Sequence, residues 1–262
     1  MPLPTNQEPS PDYMVLPQAV NQYLPPRLPE DPGLRAAGEA WLARIEAALA
    51  AYTPEGPETV LDLRAATPEA VKFLNETLGS GEVSALAFGT PDLQIEETVF
   101  TGLWRVRGEG VDYLEIGDVP SVLKTRAKAG LPPMPELETI PDDVINAPHL
   151  LAEIYARVRA FAETGTAHNF NLDLLPLTDA DLGWLVKTLG EGPVVIVSSG
   201  YGACRIRSTH LGNAWWVQFS NASNALILNS IDISTIPSVA CAAADDIADS
   251  AKRVHAVRSV YL

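Results

Sequence analysis

Apolar residues recur at three- and four-residue spacing in three stretches of the chain, and this spacing predicts amphipathic helices. The first helix runs from about Gly33 to Tyr52, and the second from about Ala147 to Glu163, with Asn146 as a candidate N-cap. A third is predicted in the tail after Val239, where acidic residues precede basic ones in the order that the helix dipole favours.

A short helix and a β meander are predicted after the first long helix. Thr67 is a good N-cap, Pro68 suits the first helical position, and Gly79 ends the helix. Short apolar runs then alternate with Gly, Pro and Asp, as in hairpin-connected strands. The predicted strands are Val83–Phe88, Leu93–Val99, Leu103–Arg107 and Tyr113–Ile116.

The same pattern recurs 111 residues later in the chain. Thr77-Leu78-Gly79 recurs as Thr188-Leu189-Gly190, and Trp104 recurs as Trp215; after a longer loop, Pro120 aligns with Pro237. So many ordered coincidences indicate an internal repeat. We therefore predict an α+β fold, a tandem duplication of a helix–helix–antiparallel β meander unit with the two copies in pseudo-twofold arrangement.

The repeat divides the chain into four segments. Residues 1–32 form a Pro-rich N-terminal arm, residues 33–122 the first α+β repeat, residues 123–145 a linker, and residues 146–262 the second repeat with the C-terminal helix. The arm contains nine prolines, which exclude an ordinary helix or a central strand. Its interleaved Tyr and Leu residues favour an extended segment packed on the body or on a partner; a disordered tail is the alternative.

Composition excludes several function classes. The net charge of -15 disfavours nucleic acid and membrane surfaces as partners. Two cysteines and four scattered histidines lack the spacing of a metal site, so neither a metal nor another cofactor is predicted. No run is apolar enough for a membrane span and the N-terminus lacks the features of an export signal, so we expect a cytoplasmic protein.

The two halves differ most after the glycine that they share at positions 89 and 200. Arg207 replaces Glu96, which reverses the charge, and Trp216 replaces Arg105. Arg and aromatic residues together are typical of interface hot spots. The predicted partner-binding residues of the second half are Tyr201, Gly202, Cys204, Arg205, Arg207 and Trp216.

Each of these residues also has a purely structural interpretation. If Cys204 and Ile206 point inward, strand alternation places Arg205 and Arg207 on the outer face, where the acidic surface could neutralise them. Cys204 is either a small buried hydrophobe or a nucleophile that needs a base such as His210. We predict no catalytic residue.

Three motifs in the second half resemble a known family. They are GYGxCRIxST, NxWWVxxxN and IPxVAxAAxxDxxDS, and they lie within residues 178–253. In these motifs the chain is similar to the HupH/HyaF/HoxQ hydrogenase expression and formation proteins, and the Pro-rich opening YMVLPQAVNQYLPPRLPE is similar more loosely. Cys241 occupies a position that is often aliphatic in the family, so it is given no role.

The resemblance implies an accessory role in the maturation of nickel–iron hydrogenases, without catalysis. The implied partner is the iron–sulfur small subunit before assembly and export, another maturation chaperone, or both; a homodimer is left open. One alternative is a thiol- or redox-dependent factor that assists iron–sulfur cluster insertion or protection through Cys204. Another is an acidic structural scaffold.

Overall fold

The computed structural model describes residues 29–128, 140–199 and 202–259. Most of the predicted N-terminal arm, part of the predicted linker and Tyr201 lie outside these residues. The helices are α1 (Pro32–Ala50), α2 (Pro68–Leu78), α3 (Ser121–Arg126), α4 (Ala147–Thr164), α5 (Asp179–Leu189) and α6 (Ala244–Ser259). The strands are β1 (Thr59–Asp62), β2 (Val83–Ala87), β3 (Leu93–Glu97), β4 (Leu103–Gly108), β5 (Val111–Ile116), β6 (His168–Asn171), β7 (Val194–Ser198), β8 (Ala203–Ser208), β9 (Ala214–Ser220) and β10 (Leu226–Ile233).

All ten described strands form one antiparallel sheet in the order β1-β5-β4-β3-β2-β7-β8-β9-β10-β6. The prediction of an α+β fold is therefore confirmed. Read outward from the β2–β7 pair, the strand order of the second half repeats that of the first, with β6 in the place of β1. In the described part of the chain, β2–β7 is the one strand pair that joins the halves.

The first-half helices begin and end as their sequences predict. Asp31 caps α1 by accepting hydrogen bonds from the N–H groups of Gly33 and Leu34. Thr67 Oγ1 accepts the Ala70 N–H at 3.2 Å, and Gly79 ends α2 at a φ of 53°, a conformation that favours glycine.

Asn146 occupies the N-cap position of α4, as predicted, but its side chain does not cap the helix. Its amide instead donates to the Pro176 carbonyl at 2.6 Å. The buried Asp181 of α5 takes this role, because its Oδ1 accepts the N–H groups of Ile145, Asn146 and Ala147 at 2.8–2.9 Å. One carboxylate thereby fixes the start of one helix to the first turn of another.

The predicted linker also needs a correction. Where the sequence indicates a linker from residue 123, the structure has α3 over Ser121–Arg126. This short helix forms because Leu123 and Ala127 are buried in a core cluster. The Arg126 guanidinium holds it against the sheet by donating to the carbonyls of Ala87 and Pro91.

One face of the sheet, here called the core face, is packed across both halves. Trp104 and Trp215 lie on it and are fully buried. α3 and a 3₁₀ turn at Ser238–Ala240 contribute to the same cluster. An apolar row crosses six strands of this face: Val106, Ile95, Ala85, Ile196, Ile206 and Val217.

The opposite face, here called the helix face, carries two separate clusters. α1 and α2 pack on β1, β5 and β4, and α4 and α5 pack on β9, β10 and β6. The C-terminal helix α6 joins the first-half cluster through Ile247 and Val254, although it follows the second half in the chain. Arg258 and His255 of α6 also contact the Glu46 carboxylate of α1, each at 2.7 Å.

Several local contacts recur at aligned positions. Trp104 Nε1 donates to the Gly117 carbonyl at 3.0 Å, and Trp215 Nε1 donates to the Ser234 carbonyl at 3.1 Å. The backbone bonds Val99 N–H to Leu78 and His210 N–H to Leu189 recur in the same way. The two meanders thus share side-chain and backbone contacts as well as strand order.

Candidate functional site

The candidate site is the part of the helix face between the two helix pairs, here called the central strip. It consists of the helix-face positions of β3, β2, β7 and β8. Cross-strand pairing arranges them in two rows. One row is Gln94, Leu86, Val195 and Arg207, and the other is Glu96, Ser84, Val197 and Arg205.

Arg205 and Arg207 lie on the central strip, as strand alternation predicts. Arg205 is exposed, and its side chain makes no hydrogen bond or ion pair with a described residue. Arg207 is partly buried; it contacts the Glu191 carboxylate and donates to Gln218 Oε1 at 3.4 Å. Of the two, Arg205 is therefore the cation that a partner could reach without breaking an existing ion pair.

Gly202 lies just before β8 and is exposed. Its φ of 103° is a conformation that side chains rarely adopt, which explains why glycine suits this turn. The preceding residue, Tyr201, lies outside the described residues.

Cys204 is not a surface residue. It is 2% exposed in the core-face cluster, beside Ile206 and opposite Phe219 of β9. Burial, with a smaller contribution from Asp232, raises the pKa of the Cys204 thiol to about 12. A thiol that stays protonated is a poor nucleophile and a poor metal ligand.

Trp216 is not available to a partner either. It shares the helix face with Arg207 but is only 5% exposed, because α4 and α5 pack over it. Its Nε1 donates to Asn229 Oδ1 at 2.6 Å, so its polar atom is also satisfied. The expectation that Cys204 and Trp216 belong to a contact surface is thus corrected by their burial on opposite faces of the sheet.

The first-half side of the strip was missed by the sequence analysis. Arg105 is buried and paired with Asp112 at 2.6 Å, and Arg107 is exposed and paired with Glu96 at 2.6 Å. Beside them is a depression of about 360 Å³, bordered by Leu86, Phe88 and Gln94 among others. Strand alternation was the sequence signal that could have found this surface. Leu86 and Phe88, in and just after β2, lie on the face of the sheet opposite to Ala85 and Ala87.

The described residues offer no ready metal site: among them, no three His, Cys, Asp or Glu side chains lie close enough together to hold an ion. None of the helices in the described ranges has the length and apolar character that a bilayer crossing requires. The central strip carries Arg205, Arg207 and apolar side chains of unequal exposure: Phe88, next to it, is 45% exposed, whereas Val197 within it is 5% exposed.

Known relatives match nearly the whole chain. The family model "HupH hydrogenase expression protein, C-terminal conserved region" matches residues 36–129 and 144–261. The chain belongs to this family. The resemblance found in the sequence motifs is thereby confirmed.

Curated relatives of the chain have names that refer to hydrogenases. The hydrogenase expression/formation protein HupH of Rhodobacter capsulatus is 40% identical, over 94% of this chain and 89% of its own. The hydrogenase-1 operon protein HyaF of Escherichia coli K12 is 35% identical, over 78% and 74%. A solved structure, the hydrogenase expression protein HupH from Thiobacillus denitrificans, is 32% identical with a TM-score of 0.42, over 45% of this chain and 97% of its own.

Proposed function

We propose that the protein is a non-catalytic accessory factor in the maturation of nickel–iron hydrogenases, which binds the iron–sulfur small subunit before assembly and export. The names of its relatives support the pathway, because they describe hydrogenase expression and formation. The small subunit is the partner that the sequence resemblance implies, and another maturation chaperone is the second.

The observation that carries the binding role is the open central strip with an unpaired arginine. Arg205 is an exposed cation without a carboxylate partner among the described residues, and it lies on β8. Arginine on a preorganised surface is typical of protein-binding sites.

The state of Cys204 supports binding over thiol chemistry. Its thiol is buried in the core-face cluster, and its pKa is raised to about 12 by that burial. Cys241, the other cysteine, packs against the same cluster, and burial raises its pKa to about 11. Neither thiol has the accessible, acidic character of a reactive cysteine.

We also propose that the two halves arose by tandem duplication and are related by a pseudo-twofold axis through the β2–β7 pair. The mirrored strand order and the matching Trp104 and Trp215 hydrogen bonds support this proposal. On this view the shared contacts are scaffold, and the positions that differ carry the function of each half.

A pull-down with purified hydrogenase small subunit tests the function. The parent protein should retain the small subunit, and the double variant Arg205→Glu with Arg207→Glu should lose at least about 90% of it, because two cations become repulsive carboxylates. Arg157→Glu, on the exposed surface of α4, is the control and should bind like the parent. A double variant that binds as well as the parent rules out this surface, and a parent that binds neither small subunit nor a maturation chaperone rules out the function.

A further inference from the structure

The central strip is the floor of a groove whose walls are α2 and α5. α2 lies over β4, because Asn75 Oδ1 accepts a hydrogen bond from Arg105 Nη1 at 3.4 Å. α5 lies over β9, because Leu185 and Leu189 share a cluster with Trp216. On this face, neither helix cluster contains a residue of the four strands between α2 and α5. α3 packs on β2, but from the opposite, core face.

The spacing of the walls limits what the groove can hold. Five strand intervals of about 4.8 Å separate β4 from β9, which places the helix axes about 24 Å apart. Subtracting one helix diameter of about 10 Å leaves a width of about 14 Å. This width fits one extended or helical segment.

The middle of the floor is apolar. Leu86 and Val195 are paired across the β2–β7 junction, and neither belongs to a core cluster of the described residues. Phe88, one alternation further along β2, is 45% exposed. Phe88, and to a smaller extent the partly buried Leu86 and Val195, therefore have apolar area that a bound segment could cover.

The arginines beside this apolar floor differ in whether a carboxylate is paired with them. Arg107 is neutralised by Glu96 and Arg207 by Glu191, whereas Arg205 has no such partner among the described residues. On the second-half side of the β2–β7 junction, Arg205 is thus a cation without a carboxylate beside it in the described ranges, whereas on the first-half side the Asp92 carboxylate lines the depression next to Phe88. A carboxylate from a bound segment would complete the pattern.

We propose that this groove binds a single linear segment of a partner protein. Apolar side chains of the segment contact Leu86, Phe88 and Val195, and a carboxylate of the segment pairs with Arg205. The proposal rests on the binding role given above and extends it, because the contact crosses from the second half into the first. The mode is that of a peptide laid on an apolar groove, with one charged contact that fixes its register.

The test measures the affinity of purified small subunit for two groove variants of the full chain. Phe88→Asp, on the first-half side, and Arg205→Glu, on the second-half side, should each raise the dissociation constant at least about tenfold. Two surface controls outside the groove, Leu226→Asp and Arg157→Glu, should change it less than about twofold. Circular dichroism and thermal melting confirm that all four variants are folded.

An array of overlapping peptides from the small subunit then tests the chemistry of the ligand. The expected peptides combine apolar residues with at least one Asp or Glu, bind the parent, and lose binding to Arg205→Glu. Binding by basic peptides alone, or by none, overturns the linear-segment proposal.

The outcomes separate this inference from the proposed function. A parent that does not bind the small subunit defeats the proposed function. A parent that binds, with Phe88→Asp unaffected, defeats the groove alone and leaves a contact confined to the second half. Binding that appears only after removal of residues 1–28 identifies the chain's own arm as the occupant and also overturns the groove proposal.

Discussion

At the residue scale, an aligned position can carry side chains with different roles in the two halves. Ser208 aligns with Glu97, and both are buried. Ser208 Oγ accepts the Val194 N–H at 2.9 Å and donates to the Val194 carbonyl at 3.2 Å, so its polar group is satisfied. At the same place Glu97 has an ionisable carboxyl group, which among the described residues accepts one hydrogen bond, from the Gly102 N–H at 3.1 Å.

Glu97 should make stability depend on pH. Burial raises the pKa of Glu97 from 4.5 to about 7; the Gly102 N–H opposes the shift, and Glu82 and Asp246 add to it. Because the folded-state pKa lies above the unfolded value, ionisation disfavours the folded state. The contribution of Glu97 to stability is therefore complete below pH 4.5, declines as the pH rises to about 7, and is constant above that.

Glu97→Gln removes this titration and keeps the oxygen that accepts the Gly102 N–H. Relative to the parent, we expect the free energy of unfolding to rise by on the order of 3 kcal/mol at pH 8 and by far less at pH 4. Urea denaturation at both pH values measures the difference. Glu96→Gln, on the exposed side of the same strand, should show no such gain, and an equal effect of Glu97→Gln at both pH values would contradict the buried-carboxyl interpretation.

At the element scale, local signals were readable from the sequence and long-range ones were not. Thr67 and Gly79 delimit α2 through contacts within a few residues, so a pattern of residue types was enough to predict them. Asp181 caps α4 from 34 to 36 positions away, and no local pattern carries that information. The same limit applies to the central strip, since its openness depends on where α2 and α5 come to lie.

The Asp181 carboxylate should be worth more than an ordinary cap. Asp181→Ala leaves three backbone donors of α4 without their acceptor and removes the carboxylate that accepts Thr178 N–H and Oγ1 at 3.0 Å. We expect a loss of more than about 2 kcal/mol in the free energy of unfolding. Asp179→Ala, in the same turn but exposed, should cost less than about 1 kcal/mol; equal losses would remove the case for the remote cap.

This loss should itself depend on pH. Burial alone would raise the pKa of Asp181, but hydrogen bonds from Ala147, Thr178 and Asn146 outweigh it and hold the pKa well below the usual 3.8. Because the folded-state pKa is depressed, the stabilisation is complete above the unfolded value and is lost as the pH falls through the folded one. In strong acid, the free energies of unfolding of the parent and of Asp181→Ala should therefore converge.

At the scale of the whole molecule, the two halves are joined in two different ways. The β2–β7 pair makes the sheet continuous, and α6 crosses from the end of the second half to the helices of the first. Arg253 strengthens that attachment by donating to the Val99 carbonyl at 2.7 Å. The apolar spacing of the tail predicted the helix but not this destination, because the contact with the first-half cluster is long-range and leaves no local pattern.

Hydrogen exchange should reveal which half depends on α6. Ile247 is fully buried in the first-half cluster, so Ile247→Ala should cost about 2–5 kcal/mol and reduce amide protection in α1 and α2 more than in α4 and α5. Ile231→Ala, fully buried in the second-half cluster, is the matched control and should give the reverse pattern. Uniform loss of protection in both variants would mean that the halves unfold as one unit.

The position of α6 also means that the first-half cluster can be completed only late in translation. A ribosome completes the first-half strands and α1 and α2 early, yet Ile247 and Val254 of the same cluster emerge near the end of translation. Until then the nascent chain presents an unfinished apolar surface, the kind of surface that cellular chaperones recognise. The protein should therefore itself depend on assistance while it is being made, and ribosome-bound chains that stop before α6 should retain chaperones that full-length chains release.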